Sequence, residues 1–145
     1  MLNSWEEIAV GTETGSVDFV VTDAMVDDYL AAAELDAKWL AGLGENGKRL
    51  APIDLLPKIG MNKLFTEYML ANVGRNVRVK QGFKFFAPAY VGMRVLATGR
   101  ISDKYEKPGK RYVALEALFT DSDAKPLVID QRVVTVLGEN FKMKD

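Results

Sequence analysis

Phe83–Val95 reads FKFFAPAYVGMRV, two apolar runs that meet at APAYVG. Pro88 removes a backbone donor and favours a sheet edge or a turn. Gly92, four residues on, permits a positive φ. Together they predict a strand, a kinked reversal and a second strand. On both sides of this stretch the apolar residues recur with a period of two. Val77, Val79, Phe83 and Phe85 fall on one predicted face, with Arg78, Lys80 and Lys84 mainly opposite. Val95, Ala97, Gly99 and Ile101 repeat the pattern, as do Val113, Leu115, Ala117 and Phe119. In LVIDQRVVTVL the predicted phase is Leu127, Ile129, Val133 and Leu137. KPGK and DSDAK separate these runs as turns. The expectation is a four-strand antiparallel meander, with SVDFVVT, Ser16–Thr22, available as a fifth strand.

Upstream the period changes to that of a helix. Thr22 is placed to cap a helix through DAMVDDYLAAA, since its hydroxyl accepts from an orphan amide, and Asp23 suits the positive helix end. GLGENGKRLAP is turn-rich and predicted irregular. Helical character resumes at Asp54 or after Gly60, with Leu64, Tyr68 and Ala71 on one face, and Gly74 stops it.

Composition narrows the chemistry. At 145 residues the chain suits one domain with its own core. Residues 1–60 carry 4 basic and 11 acidic side chains and residues 61–145 carry 15 and 9, so the charge is near neutral but unevenly placed. No apolar run reaches membrane-spanning length. MLNSWEEIAV lacks the basic flank and apolar centre of a secretory signal, so a cytoplasmic location is expected. With no cysteine, disulfides and thiolate chemistry are excluded. With no histidine, the usual proton shuttle near neutral pH is missing too. Any catalysis must use carboxylates, Lys, Tyr, Ser or Thr, or borrow a histidine from another chain. No acidic cluster has metal-site spacing, so no metal is expected.

The order strand, short helix, irregular segment, central helix and curved sheet resembles the hot-dog fold, an α+β architecture. Within it the chain resembles the MaoC-like hydratase/dehydratase family, in particular its N-terminal-type domain, over about residues 16–137. FKFFAPAYVGMRVLATGRISDKYEKPGKRYVALEALFTD carries the resemblance, as does T-x-x-x-V-x-x-Y in TDAMVDDYLAAAELDAKWLAG. Ala51-Pro52 in LAPIDLLPKIGM is similar to the family's approach to the central helix.

The resemblance implies an acyl group held as a thioester on coenzyme A or an acyl carrier protein, with no other cofactor. Hydratases of this kind add water across a 2-enoyl double bond and dehydratases reverse it, through an Asp-x-Asn-Pro-x-His motif in the irregular segment. Such chemistry needs a base for water and an acid for the α-carbon within hydrogen-bond reach. Here Asp36 lies near the catalytic aspartate's place, but Lys38 and Ala41 stand where asparagine and histidine belong. The acid/base pair is absent. Asp36, beside the expected groove, is therefore the best carboxylate candidate at the site, against the ordinary role of an exposed helix-end acid. Ala51, Ile53 and Phe85 are expected to help build an acyl groove. Gly60, read as the start of the central helix, is expected to turn its amide to the thioester carbonyl. Asp54 and Glu67 are weaker acid candidates. Lys84, Arg94, Lys110 and Arg111 are a basic set for coenzyme A phosphates, if the fold brings them together.

These expectations leave several functions open. One is the acyl-binding subunit of an enoyl-CoA hydratase or 3-hydroxyacyl-thioester dehydratase, with Asp and His on a partner. Others are a self-contained carboxylate-dependent hydratase or thioesterase, and a non-enzymatic acyl-CoA-binding protein. Unprotected sheet edges imply a hot-dog partner subunit or a homodimer. Nucleic acid is not expected, because the chain lacks a groove-reading or stacking motif.

Overall fold

A computed structural model describes residues 2–33, 47–52 and 54–137. Asp36, Lys38, Ala41 and Ile53 lie outside the described residues. Strand β1 (Glu13–Val20) leads to helix α1 (Asp23–Ala33), whose first turn is capped as predicted, with the Met25 amide donating to the Thr22 hydroxyl at 3.2 Å. A second helical stretch comprises α2 (Leu55–Met61), a π-helical turn (Asn62–Thr66) and α3 (Glu67–Asn72). Strands β2 (Asn76–Phe85), β3 (Arg94–Lys107), β4 (Lys110–Asp121) and β5 (Pro126–Val136) follow.

The strands form one antiparallel sheet in the order β1-β3-β4-β5-β2. With the central helix on its inner face, this is the α+β hot-dog arrangement. It corrects the predicted four-strand meander in one respect. β3, β4 and β5 are consecutive neighbours, but β2 pairs with β5 and sits at the far edge. The stretch around APAYVG is therefore no tight reversal. It carries the chain from one edge past the ends of β5 and β4, about 14 Å at the usual strand spacing. Pro88 lies in that crossing, and Gly92 (φ +94°) turns the chain into β3, its amide donating to the Val21 carbonyl at 2.8 Å.

Residues directly opposite in an antiparallel pair share a face, so the register fixes the core side. Val113, Leu115, Ala117 and Phe119 of β4 oppose Val134, Arg132, Asp130 and Val128 of β5, and all eight are buried. Two predicted phases change accordingly. In β5 the inner face carries Val128, Asp130, Arg132 and Val134, while Ile129 and Val133 point outward. In β2 the register slips between Arg78 and Lys80, so Val77 lies on the face opposite Phe83 and Phe85. The extra residue of a bulge reverses the alternation beyond it.

The central helix packs with its backbone almost on the sheet. A Cβ at Gly15 would lie 1.9 Å from the Lys63 carbonyl oxygen, and one at Gly99 would lie 2.7 Å from that of Leu64. Only glycine lets backbone come so close. The π-helical turn supplies both carbonyls, and the buried Thr14 hydroxyl donates to the Leu64 oxygen. Leu64, Phe65 and Met69 fill the space above Ile101, Leu115 and Phe119. That contact sets the helix over the β1–β3 side and, among the described residues, leaves the inner face of β2 without a covering helix.

Candidate functional site

A cavity of about 320 Å³ opens where the chain enters α2 and where β2 ends. Ala51, Pro52 and Leu56 form one wall, Phe85 to Ala89 the other, and Leu127 and Val128 of β5 lie between. Backbone hydrogen bonds hold the walls together. The Ala51 amide donates to the Ala89 carbonyl at 2.9 Å, and the Val91 amide to the Arg49 carbonyl at 2.9 Å. The Phe86 amide donates to the Leu127 carbonyl at 2.8 Å, tying the end of β2 to β5. The crossing segment that Pro88 interrupts is thus also one wall of the cavity.

The lining is wholly apolar in side chain: alanine, proline, leucine, phenylalanine and valine. No titratable side chain stands on the described walls. Such a surface gains by excluding water from an apolar ligand, and it has nothing with which to move a proton. Its size lies near the lower end of small-molecule sites, about 300–1,000 Å³.

The structure brings Ala51 and Phe85 together on this cavity. Leu56, Leu127 and Val128 line it as well and were not named as site residues from the sequence. The last two become neighbours of Phe85 only through the register that sets Phe85 opposite Val128. Strict strand alternation would send Phe85 and Phe86 to opposite faces, one to the core and the other to an acyl tunnel or dimer contact. Both line the cavity, and both are exposed, at 45% and 55%, because no element among the described residues covers the end of β2.

Gly60 is placed differently from expectation. The helix begins at Leu55, with Asp54 at the N-cap position, so Gly60 sits in its interior rather than at its start. It is buried, and a Cβ there would lie 2.7 Å from the Leu64 side chain and 3.0 Å from the Phe119 ring. It is a packing glycine, and it is not on the cavity wall.

Polar groups nearby are already engaged. The Tyr29 hydroxyl donates to the Asp54 carboxylate, and the Lys58 ammonium lies 5.2 Å from the Tyr29 ring centre. Burial, and then the hydrogen bond and charge of Asp54, push the Tyr29 phenol up to about 12. Arg49 pairs with Asp23 at 2.9 Å and with Asp27 at 2.8 Å, pinning α1 to the segment that enters the site. The expected basic set does not form. Arg94 is paired with Asp18 at 2.6 Å, whose carboxyl it holds below the usual range, and Arg111 pairs with Glu106 and lies over Trp5. Glu67 is exposed on α3.

No protein-family profile and no curated protein matches the sequence. Solved structures match the fold. A monoamine oxidase regulatory protein from Archaeoglobus fulgius is 13% identical with a TM-score of 0.78, covering 93% of this chain and 94% of that one. The (R)-hydratase of A. caviae involved in PHA biosynthesis is 19% identical, TM-score 0.70, with 89% and 97% covered. In the HadBC 3R-hydroxyacyl-ACP dehydratase complex of Mycobacterium tuberculosis, one chain is 18% identical, TM-score 0.67, with 86% and 98% covered. MaoC-like dehydratases share the fold too.

Proposed function

We propose that this chain is the acyl-thioester-binding subunit of a MaoC-like enoyl-CoA hydratase or 3-hydroxyacyl-thioester dehydratase, with the catalytic Asp and His on a partner hot-dog subunit. One observation carries the reading: an apolar cavity whose described walls bear no titratable side chain, in a chain without histidine. The cavity takes the acyl chain, the part of the substrate that undergoes no proton transfer. Addition or loss of water across the 2,3-bond needs a base at the water and an acid at the α-carbon, each about 3 Å from its proton's destination. The partner supplies that pair. Asp36 is the one carboxylate of this chain proposed to reach the reacting end.

The HadBC complex supports a division between two chains, since it is a two-polypeptide dehydratase on the same fold. In this proposal the carrier is coenzyme A or an acyl carrier protein, and no metal or further cofactor takes part.

The test is a reconstitution. A histidine-bearing hot-dog protein that co-purifies with this chain is assayed alone, this chain is assayed alone, and the two are assayed mixed, on 2-enoyl-CoA and 3-hydroxyacyl-CoA. The proposal expects turnover only in the mixture, lost when the partner's histidine is replaced and reduced in Asp36→Ala. Full hydration by this chain alone would overturn it. Rapid release of free coenzyme A from saturated acyl-CoA would establish a thioesterase instead. Stable binding without product, with the partner present, would establish a binding protein.

A further inference from the structure

β2 is an edge with an unusual surface. Among the described residues it has a neighbour, β5, on one side only, and nine of its ten residues are exposed. Val77, Val79, Phe83 and Phe85 are all among the exposed large apolar residues, at 49%, 48%, 36% and 45%. Long edges with apolar side chains template pairing with another strand. The opposite edge, β1, contributes only Val20 to that set.

The charges on β2 say which strand fits. Arg78, Lys80 and Lys84 are its only ionisable residues. Lys80 and Lys84 lie on the outer face, opposite Val133 and Ile129, and Phe83 and Phe85 lie on the inner face. Consider a second copy paired antiparallel, with both inner faces on the same side. Centred on Gly82, Lys80 of each copy stands directly opposite Lys84 of the other. Centred on Gln81 or Phe83, a lysine stands diagonal to lysines of the other copy. Like charges at these positions weaken a pair, and opposite charges strengthen it. β1 offers no matching pair of carboxylates: of its two acidic residues, Asp18 is already forked onto Arg94 at 2.9 and 2.6 Å, which leaves Glu13 alone, at the strand's first position.

We infer that the free edge of β2 docks a strand of a different polypeptide, with carboxylates facing Lys80 and Lys84 and apolar side chains beside Phe83 and Phe85, and that the two lysines keep a second copy of this chain from taking its place. The inference rests on the two-subunit reading above and gives that partner a chemistry. It also joins the two surfaces, because Phe85 ends β2 and lines the cavity, so a docked strand adds to the cavity's wall.

The experiment needs no knowledge of the natural partner. The full chain carrying Lys80→Glu and Lys84→Glu presents the same edge with the required carboxylates, and both positions are exposed. Wild type, variant and their equimolar mixture are compared by sedimentation over a dilution series at low salt. The expected dissociation constant of the mixture is at least about tenfold below that of wild type with itself, and added salt near 0.5 M narrows the gap. A second variant, Lys80→Gln with Lys84→Gln, is expected to self-associate more tightly than wild type. Wild type that associates with itself as tightly as the mixture, or grows into longer chains, overturns the inference, as does a mixture that stays monomeric. The readout is mass alone, so paired subunits without acyl-CoA binding would refute the functional reading and leave the edge assignment standing.

Discussion

The Arg132 guanidinium forks onto the carboxylate of Asp130, two residues away on the same inner face of β5, with contacts of 3.1, 3.2 and 2.7 Å. Both are buried, and the guanidinium carbon lies 5.0 Å from the Phe65 ring centre. Removing one member of a buried pair strands the other charge, at a cost of about 3–5 kcal/mol. Arg132→Met should therefore lower the free energy of unfolding in urea by that much. The double replacement Asp130→Leu with Arg132→Met should lose less than Arg132→Met alone.

A second prediction concerns how closely the helix sits on the sheet. Gly15→Ala drives a methyl group into the Lys63 carbonyl, which is backbone and has nowhere to rotate. It should cost about 3 kcal/mol, the upper end for overpacking, or prevent folding. Gly82→Ala meets nothing within 4 Å and should change stability by about 0.5 kcal/mol or less. Thermal or denaturant melts of the two variants make the comparison.

The same two regions mark what the sequence revealed and what it hid. The strand runs around Ile101, Leu115 and Phe119 were legible because each alternates apolar and polar residues over a single buried face. Thr22 was legible as a cap, and Gly74 as a stop, because both are local devices. The inner face of β5 was hidden because Asp130 and Arg132 neutralise each other there, while apolar Ile129 and Val133 occupy the outer face. A bulge is a property of the pair of strands, so the slip at Val79 left no mark in β2 alone. The partnering of β2 with β5 rather than β3 is equally non-local. Of the site, Ala51 and Phe85 were named from sequence, whereas Leu127 and Val128 join them only through that pairing.

Tyr29 gives a pH prediction with a definite sign. Unfolded, its phenol ionises near 10.0; folded, it holds its proton to about 12. Between those values the folded state binds more protons, so Tyr29's contribution is full below about pH 10 and is lost as the pH rises toward 12. Tyr29→Phe removes the hydrogen bond to Asp54 and should cost about 1–2 kcal/mol near neutral pH. The stability difference between wild type and this variant should shrink across that alkaline window, as followed by urea unfolding at stepped pH. A constant difference would contradict the assignment.

The central claim is that the apolar cavity holds an acyl chain and does no chemistry on it. The most direct measurement is calorimetric titration of the chain with octanoyl-CoA and with free coenzyme A, repeated on Phe86→Asp. Phe86 is an exposed wall residue whose replacement leaves the core intact. The account predicts that octanoyl-CoA binds more tightly than coenzyme A, and that Phe86→Asp weakens only the acyl ligand, by about tenfold or 1.4 kcal/mol. No hydration of 2-octenoyl-CoA should accompany binding. Equal affinities for the two ligands, an unchanged affinity in Phe86→Asp, or turnover by the chain alone would contradict it.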